Sequence, residues 1–266
     1  MSEPYSEQEK YAILSEVAYS NDKKHLLHDH YGLFDYNIDE ELTSQNSSVI
    51  LTPENEVVIS YRGTNVHNPS DLLADVGIFL GLPHVQKQFG RFKEAEEKYQ
   101  SVKEKYPELE IKTTGHSLGA AQSMRVAREH NIEGHHFNIG SGLPDLLDQM
   151  KNVLLCDTVL NCENLRKQNL YTTGKDFISV SHGHRIAKMF GINNVTFVKP
   201  KRDIDLINHS LAHFLPLPRN WHTPEVKQMV KEEDPIKFFM YTARDPDNFC
   251  NQFPRHPLCK KYVGLR

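Results

Sequence analysis

Leu109-Glu110-Ile111-Lys112-Thr113-Thr114-Gly115-His116-Ser117-Leu118-Gly119-Ala120-Ala121 decides how this 266-residue chain is read. Residues 109–114 read as a short strand and residues 120–129 as a helix, so the Gly115–Gly119 pentapeptide falls on the turn between them. It has the form G-x-S-x-G in the context where that pattern carries chemistry: a strand, a sharp turn, then a helix. Glycines two positions either side of Ser117 let the backbone turn tightly and let strand and helix approach each other. The serine is thereby expected at the helix N-terminus with Oγ exposed. Neighbouring amides and the helix dipole would stabilise an oxyanion forming beside it.

A second stretch strengthens the reading. Val57-Val58-Ile59-Ser60-Tyr61 is a β-branched apolar run that stops at Arg62-Gly63-Thr64. Ester-cleaving serine sites of this architecture need two oxyanion donors, one from the residue after the nucleophile and one from an earlier strand-to-helix loop. Leu118 and Thr64 stand at those two places.

Tyr61-Arg62-Gly63-Thr64 followed by Gly115-His116-Ser117-Leu118-Gly119 resembles the class 3 lipase family, over residues 5 to about 215. The resemblance implies an α/β-hydrolase fold, a central mostly parallel sheet flanked by helices, and a Ser–Asp–His triad in that chain order. Ser117 is the implied nucleophile. Asp176 follows the strand-like Leu170-Tyr171-Thr172-Thr173 and is the expected acid, placed to hold an imidazole in one tautomer. Asp145 and Asp148 fall in a short surface helix. Asp203 and Asp205 come too close to the histidine candidates to serve from a separate strand.

His209 and His213 lie four apart in Asn208-His209-Ser210-Leu211-Ala212-His213-Phe214, on one face if the segment is helical. The resemblance favours His209 as the base, with a short helix and an aromatic residue following it. His213 is then structural and an alternative base. His184, in Ser181-His182-Gly183-His184, is the other alternative and otherwise belongs to the rim. Between the two motifs, Ile78, Phe79, Leu80 and Leu82 form a short apolar run broken by Gly77, Gly81 and Pro83. In lipases of this class a lid follows the oxyanion strand, so the run is expected to be a lid or a wall of the acyl groove, with a buried helix end as the alternative.

Composition bounds the partners. The net charge of −4 argues against a nucleic-acid footprint. No run reaches 18 apolar residues, so no segment reads as membrane-spanning. The acidic, polar start of the chain is unlike a secretory signal, which fits a cytoplasmic or non-classically delivered protein. Cys250, His256 and Cys259 lack a fourth ligand and tight spacing for zinc. His25, His28 and His30 crowd together as chance allows in a chain with 15 histidines. A serine triad needs no metal and no cofactor, and none is expected.

The remaining elements follow from pattern. Ser6-Glu7-Gln8-Glu9 is a capping box opening a helix with Tyr11, Leu14 and Ala18 on one stripe, flanked by Ile13 and Val17. Residues 48–52 and 57–61 flank Pro53-Glu54-Asn55-Glu56 as a hairpin. Phe92, Ala95, Tyr99, Val102 and Tyr106 recur at helical spacing, with Lys93, Glu94, Glu97 and Glu104 on the wet side. Phe137-Asn138-Ile139 and Val195-Thr196-Phe197-Val198 read as two further strands. One domain over residues 1–266 is expected, with residues 220–266 an extension of no recognisable kind. The chain reads as a hydrolase of carboxylic esters of acylglycerols or phospholipids, in transient contact with a membrane surface. Alternatives are an esterase for soluble esters and a non-catalytic binding or structural protein that keeps the fold.

Overall fold

A computed structural model describes residues 5–63, 85–140, 166–173, 194–198 and 211–216. Seven strands form one sheet in chain order: β1 Asn37–Ile38, β2 Ser47–Leu51, β3 Glu56–Tyr61, β4 Glu110–His116, β5 Glu133–Phe137, β6 Gln168–Thr172 and β7 Asn194–Phe197. The pairs β1–β2 and β2–β3 are antiparallel, and every pair from β3 to β7 is parallel. Among the described residues, three longer helices cover the sheet: α1 Glu7–Val17, α2 Val85–Lys105 and α3 Leu118–Glu129.

Side-chain alternation along the strands divides the core. Ile50 and Val58 pack with Tyr11, Ile13 and Leu14 of α1, while Val49, Val57 and Ile59 pack with Ala95, Tyr99 and Val102 of α2. The helices therefore lie on opposite faces of the sheet, α1 on one and α2 with α3 on the other. Crossovers between adjacent parallel strands that step the same way keep their helices on one face when each is right-handed, as α2 and α3 do. A mostly parallel sheet with helices on both faces is the layout expected from the motifs.

Local signals account for the ends. The Ser6 hydroxyl accepts from the Glu9 amide while Glu9 Oε2 accepts from the Ser6 amide, closing the capping box of α1. The helix is buried more widely than its apolar stripe suggests, because Ser15 reaches Thr114 Oγ1 at 2.7 Å under the sheet. The β2–β3 hairpin turns through Asn55 at φ 65°, a conformation that asparagine tolerates well. On α2, Phe92, Ala95, Tyr99 and Val102 are buried, and Lys93, Glu94, Glu97 and Glu104 are exposed.

One strand lies elsewhere than the sequence suggests. The Phe137-Asn138-Ile139 reading is corrected to Glu133–Phe137, since Asn138 takes φ 40° and leaves the ladder. His135 and His136 hide this strand from a hydropathy reading, yet both are fully buried. His136 lies within hydrogen-bond distance of Ser123 Oγ at 3.1 Å and Gln168 Oε1 at 2.9 Å, so its polar atoms are satisfied inside the core.

Candidate active site

β4 ends at His116 and α3 begins at Leu118, so the whole change of direction falls on Ser117. Its backbone sits at φ 58°, ψ −124°. That is the first central position of a type II′ turn, ordinarily occupied by glycine. A side chain held there costs about 1–3 kcal/mol, which persists only where the surroundings over-determine it. Here they do. The Ser117 amide donates to the Phe137 carbonyl at 3.1 Å. The Ser117 carbonyl accepts from Gly140 at 3.0 Å, from Ala120 at 3.0 Å and from Ala121 at 3.2 Å. Gly119 lets α3 approach β3: a Cβ there would collide with the Tyr61 carbonyl oxygen.

Leu118 heads α3, so its amide and that of Gly119 lack intrahelical carbonyl partners. They stand beside Ser117, at the positive end of a 12-residue helix. The carboxyl ends of the parallel strands bring Gly63 after β3, Ser117 after β4, Asn138 and Gly140 after β5, and Thr173 after β6 to the same edge of the sheet. This is the edge at which open α/β sheets bind their ligands. Asn138 organises it: its Oδ1 accepts from the Thr173 amide at 3.1 Å, and its own amide donates to the Tyr171 carbonyl at 2.8 Å.

Of the residues expected at the site, Ser117 and Leu118 are thus adjacent at the strand edge. Thr64 directly follows Gly63, and Asp176 lies three positions past Thr173, but both fall outside the described residues. So do His209, His184 and the run containing Ile78, Phe79, Leu80 and Leu82. His213 is described. It closes the short 3₁₀ turn Leu211–His213 and is buried. The next residue, Phe214, packs edge-on against Phe137 at 5.2 Å. The segment carrying His213 therefore docks on the residue whose carbonyl receives the Ser117 amide.

Histidines elsewhere serve the core. Burial brings His30 and His136 down to about 3. His135 is also lowered by burial, against the pull of Glu133. Neutral His135 stacks on Tyr11 at 3.5 Å and contacts Glu133 Oε1 at 3.0 Å, while Lys112 supplies the charge that Glu133 needs, at 3.1 Å. Glu7, Glu133 and His135 form one group able to hold a metal ion by proximity; Glu96, Glu129 and His130 form another. One carboxylate of each group is already paired with a cation outside it, Glu133 with Lys112 and Glu129 with Arg125. Glu133 opens β5 and Glu129 ends α3, so each lies a full element away from Ser117, about 18 Å along α3. A cleft of about 570 Å³, lined in part by Tyr99, Lys103, Ile111, Lys167 and Asn194, also opens at that far end of the sheet.

A strained serine thus stands between a parallel strand and a helix. Residues 58–135 match the family model for lipase (class 3). The matched segment runs from β3 to β5 and takes in both motifs, the middle of the span over which the sequence resembles that family. Among solved structures, the chain is similar to a lipase from Rhizopus microsporus var. chinensis, with 14% identity, 65% of this chain and 67% of that one covered, and a TM-score of 0.43. It is similar to Lip2 lipase from Yarrowia lipolytica, with 15% identity, coverage of 75% and 80%, and a TM-score of 0.45. For M37 lipase the figures are 15% identity, coverage of 89% and 97%, and a TM-score of 0.47. No curated protein matches the chain in sequence. Among the described residues, no helix is long and apolar enough to cross a membrane.

Proposed function

We propose that the protein is a serine-dependent hydrolase of carboxylic esters in lipids, acting on acylglycerols or phospholipids through an acyl-enzyme. The observation that carries this reading is the backbone of Ser117, held at φ 58°, ψ −124° by four hydrogen bonds inside the class 3 lipase segment. A structural serine has no use for that conformation, whereas a nucleophile gains an exposed Oγ facing the helix amides.

In this mechanism Ser117 Oγ attacks the ester carbonyl. His209 takes the proton and returns it to the leaving alcohol, and Asp176 orients the imidazole. The amides of Thr64 and Leu118 receive the oxyanion, and water then releases the acyl group by the same steps in reverse. Ile78, Phe79, Leu80 and Leu82 serve in this reading as a lid or as a wall of the acyl groove.

The test is labelling with a fluorophosphonate, followed by peptide mapping, together with hydrolysis of dispersed long-chain diacylglycerol and of p-nitrophenyl butyrate. Label on Ser117 with turnover of both substrates supports the reading. Label with turnover of the butyrate alone moves the function to soluble esters. Failure to label and to hydrolyse would leave a binding protein on a hydrolase fold.

A further inference from the structure

The turn after α1 puts one phenol between the ends of β3 and β4. Ala18 caps α1 in helical backbone, and the Tyr19 amide still donates to the Glu16 carbonyl at 2.9 Å. The half-buried Tyr19 ring is thereby carried to the carboxyl edge of β3 and β4. There the Gly63 amide donates to Tyr19 Oη at 2.9 Å. The same oxygen lies 3.3 Å from the His116 carbonyl oxygen and 3.3 Å from His116 Nδ1. A phenol carries one proton and acceptor lone pairs, so accepting from Gly63 leaves its proton for His116. The two backbones joined in this way immediately precede Thr64 and Ser117.

The fit around Gly63 is close. A Cβ there would stand 2.5 Å from Tyr19 Oη, 2.6 Å from the His116 carbonyl oxygen and 3.3 Å from Ser117 Cβ. The strand end is also gripped from α2, where Arg91 Nη2 donates to the Arg62 carbonyl and Gln122 Nε2 donates to the Arg91 carbonyl at 2.7 Å. The Arg62 guanidinium lies 5.7 Å over the Tyr19 ring, so the strand end meets Tyr19 through a side chain as well.

We infer that Tyr19 is a positioning residue, fixing the end of β3 at Gly63 against the Ser117–Leu118 turn. The inference rests on the ester-hydrolase reading, in which those donors converge on one oxygen. Donors must reach within about 2.7–3.1 Å of the oxyanion, and an error of about 1 Å costs on the order of a hundredfold in rate. Two donors from separate strand ends hold that tolerance only if something bridges them, and the Tyr19 hydroxyl does.

The experiment compares wild type, Tyr19→Phe and Tyr5→Phe in the full chain. Tyr5 also spends its hydroxyl on a backbone carbonyl, that of Tyr31 at 2.8 Å, but in the core away from the strand edge. Readouts are kcat and KM for p-nitrophenyl butyrate, the rate ratio between that ester and its thiono analogue, and thermal melting. Tyr19→Phe should lower kcat by about 10- to 100-fold, hold KM within about twofold and narrow the oxo/thiono ratio. Tyr5→Phe should lower the melting temperature and keep kcat. An unchanged kcat in Tyr19→Phe, or an equal loss in both variants, overturns the positioning role while wild type still labels at Ser117. A wild type that neither labels nor hydrolyses overturns the ester-hydrolase reading, and this inference with it.

Discussion

Gly140 donates its amide hydrogen to the Ser117 carbonyl at 3.0 Å, and a Cβ placed on Gly140 would stand 3.1 Å from Ser117 Oγ. The loop after β5 is thus one wall of the space in which the serine would react. Gly140 is not in the left-handed region, so its backbone accepts a side chain. Gly140→Ala should therefore fold normally and crowd the nucleophile. We expect kcat/KM on a short-chain ester to fall at least about tenfold, with the melting temperature within a few degrees of wild type. Unchanged kinetics would mean that Oγ reacts away from this wall.

The strain at Ser117 makes activity and stability respond in opposite directions. Ser117→Ala keeps a side chain at φ 58° and should leave the melting temperature alone while removing hydrolysis, about 10⁴-fold or more. Ser117→Gly removes the strain of about 1–3 kcal/mol and adds about 0.5–1 kcal/mol of glycine entropy. The net gain, about 1 kcal/mol, should raise the melting temperature by about 2–4 °C in an equally inactive protein. A glycine variant that melts below the alanine variant would show that the turn is not strained.

Much of this site was legible because it is local. The turn at Gly115–Gly119 and the run ending at Arg62-Gly63 declare themselves within a few residues, and β2, β3, β6 and β7 do so through β-branched or aromatic side chains. β5 was displaced because histidine counts as polar, and only the partners Ser123 and Gln168 from neighbouring elements make His136 a core residue. Tyr19 could not be read at all: its partners lie 44 and 97 positions away, and α1 announces only that it is amphipathic. Asn138 reads as part of a strand for a related reason. Its value lies in the Thr173 amide across the edge, 35 positions on.

Acid should destabilise the protein early. His30 and His136 are held neutral at about 3 by burial, and His135 is lowered by the same cause. Their folded values lie below the ordinary value of 6.5, so the unfolded chain binds these protons first. The stability they contribute is complete above pH 6.5 and drains as pH falls toward about 3. Glu133, held near 2 by its hydrogen bond from His135 with Lys112 beside it, adds to the loss below pH 4.5. Urea midpoints at constant ionic strength should be level from pH 8 to 7 and decline from about pH 6.5. A profile level down to pH 4.5 would place these imidazoles in contact with water.

If residues 78–80 are a lid, activity on a long-chain ester should rise above the concentration at which the substrate aggregates. Phe79→Ser with Leu80→Ser should flatten that rise and spare p-nitrophenyl butyrate, because burying these side chains in lipid contributes roughly 1.5–3 kcal/mol each. Equal loss on both substrates would make the run part of the core or groove wall.

The choice of base separates the histidines by what each removal leaves behind. His213 is buried on a single 3₁₀ turn between Leu211 and Phe214, both packed in the core, so His213→Ala should act through packing. We expect a melting temperature lowered by several degrees and a kcat within about threefold of wild type below that temperature. His209→Ala should do the reverse, with normal melting and a kcat loss approaching that of Ser117→Ala. Added imidazole should restore part of the lost rate in His209→Ala alone, since a free base can occupy the space left by an absent one but cannot repair packing. Rescue in His213→Ala would transfer the role to that residue. Rescue in His184→Ala would move the base to Ser181-His182-Gly183-His184.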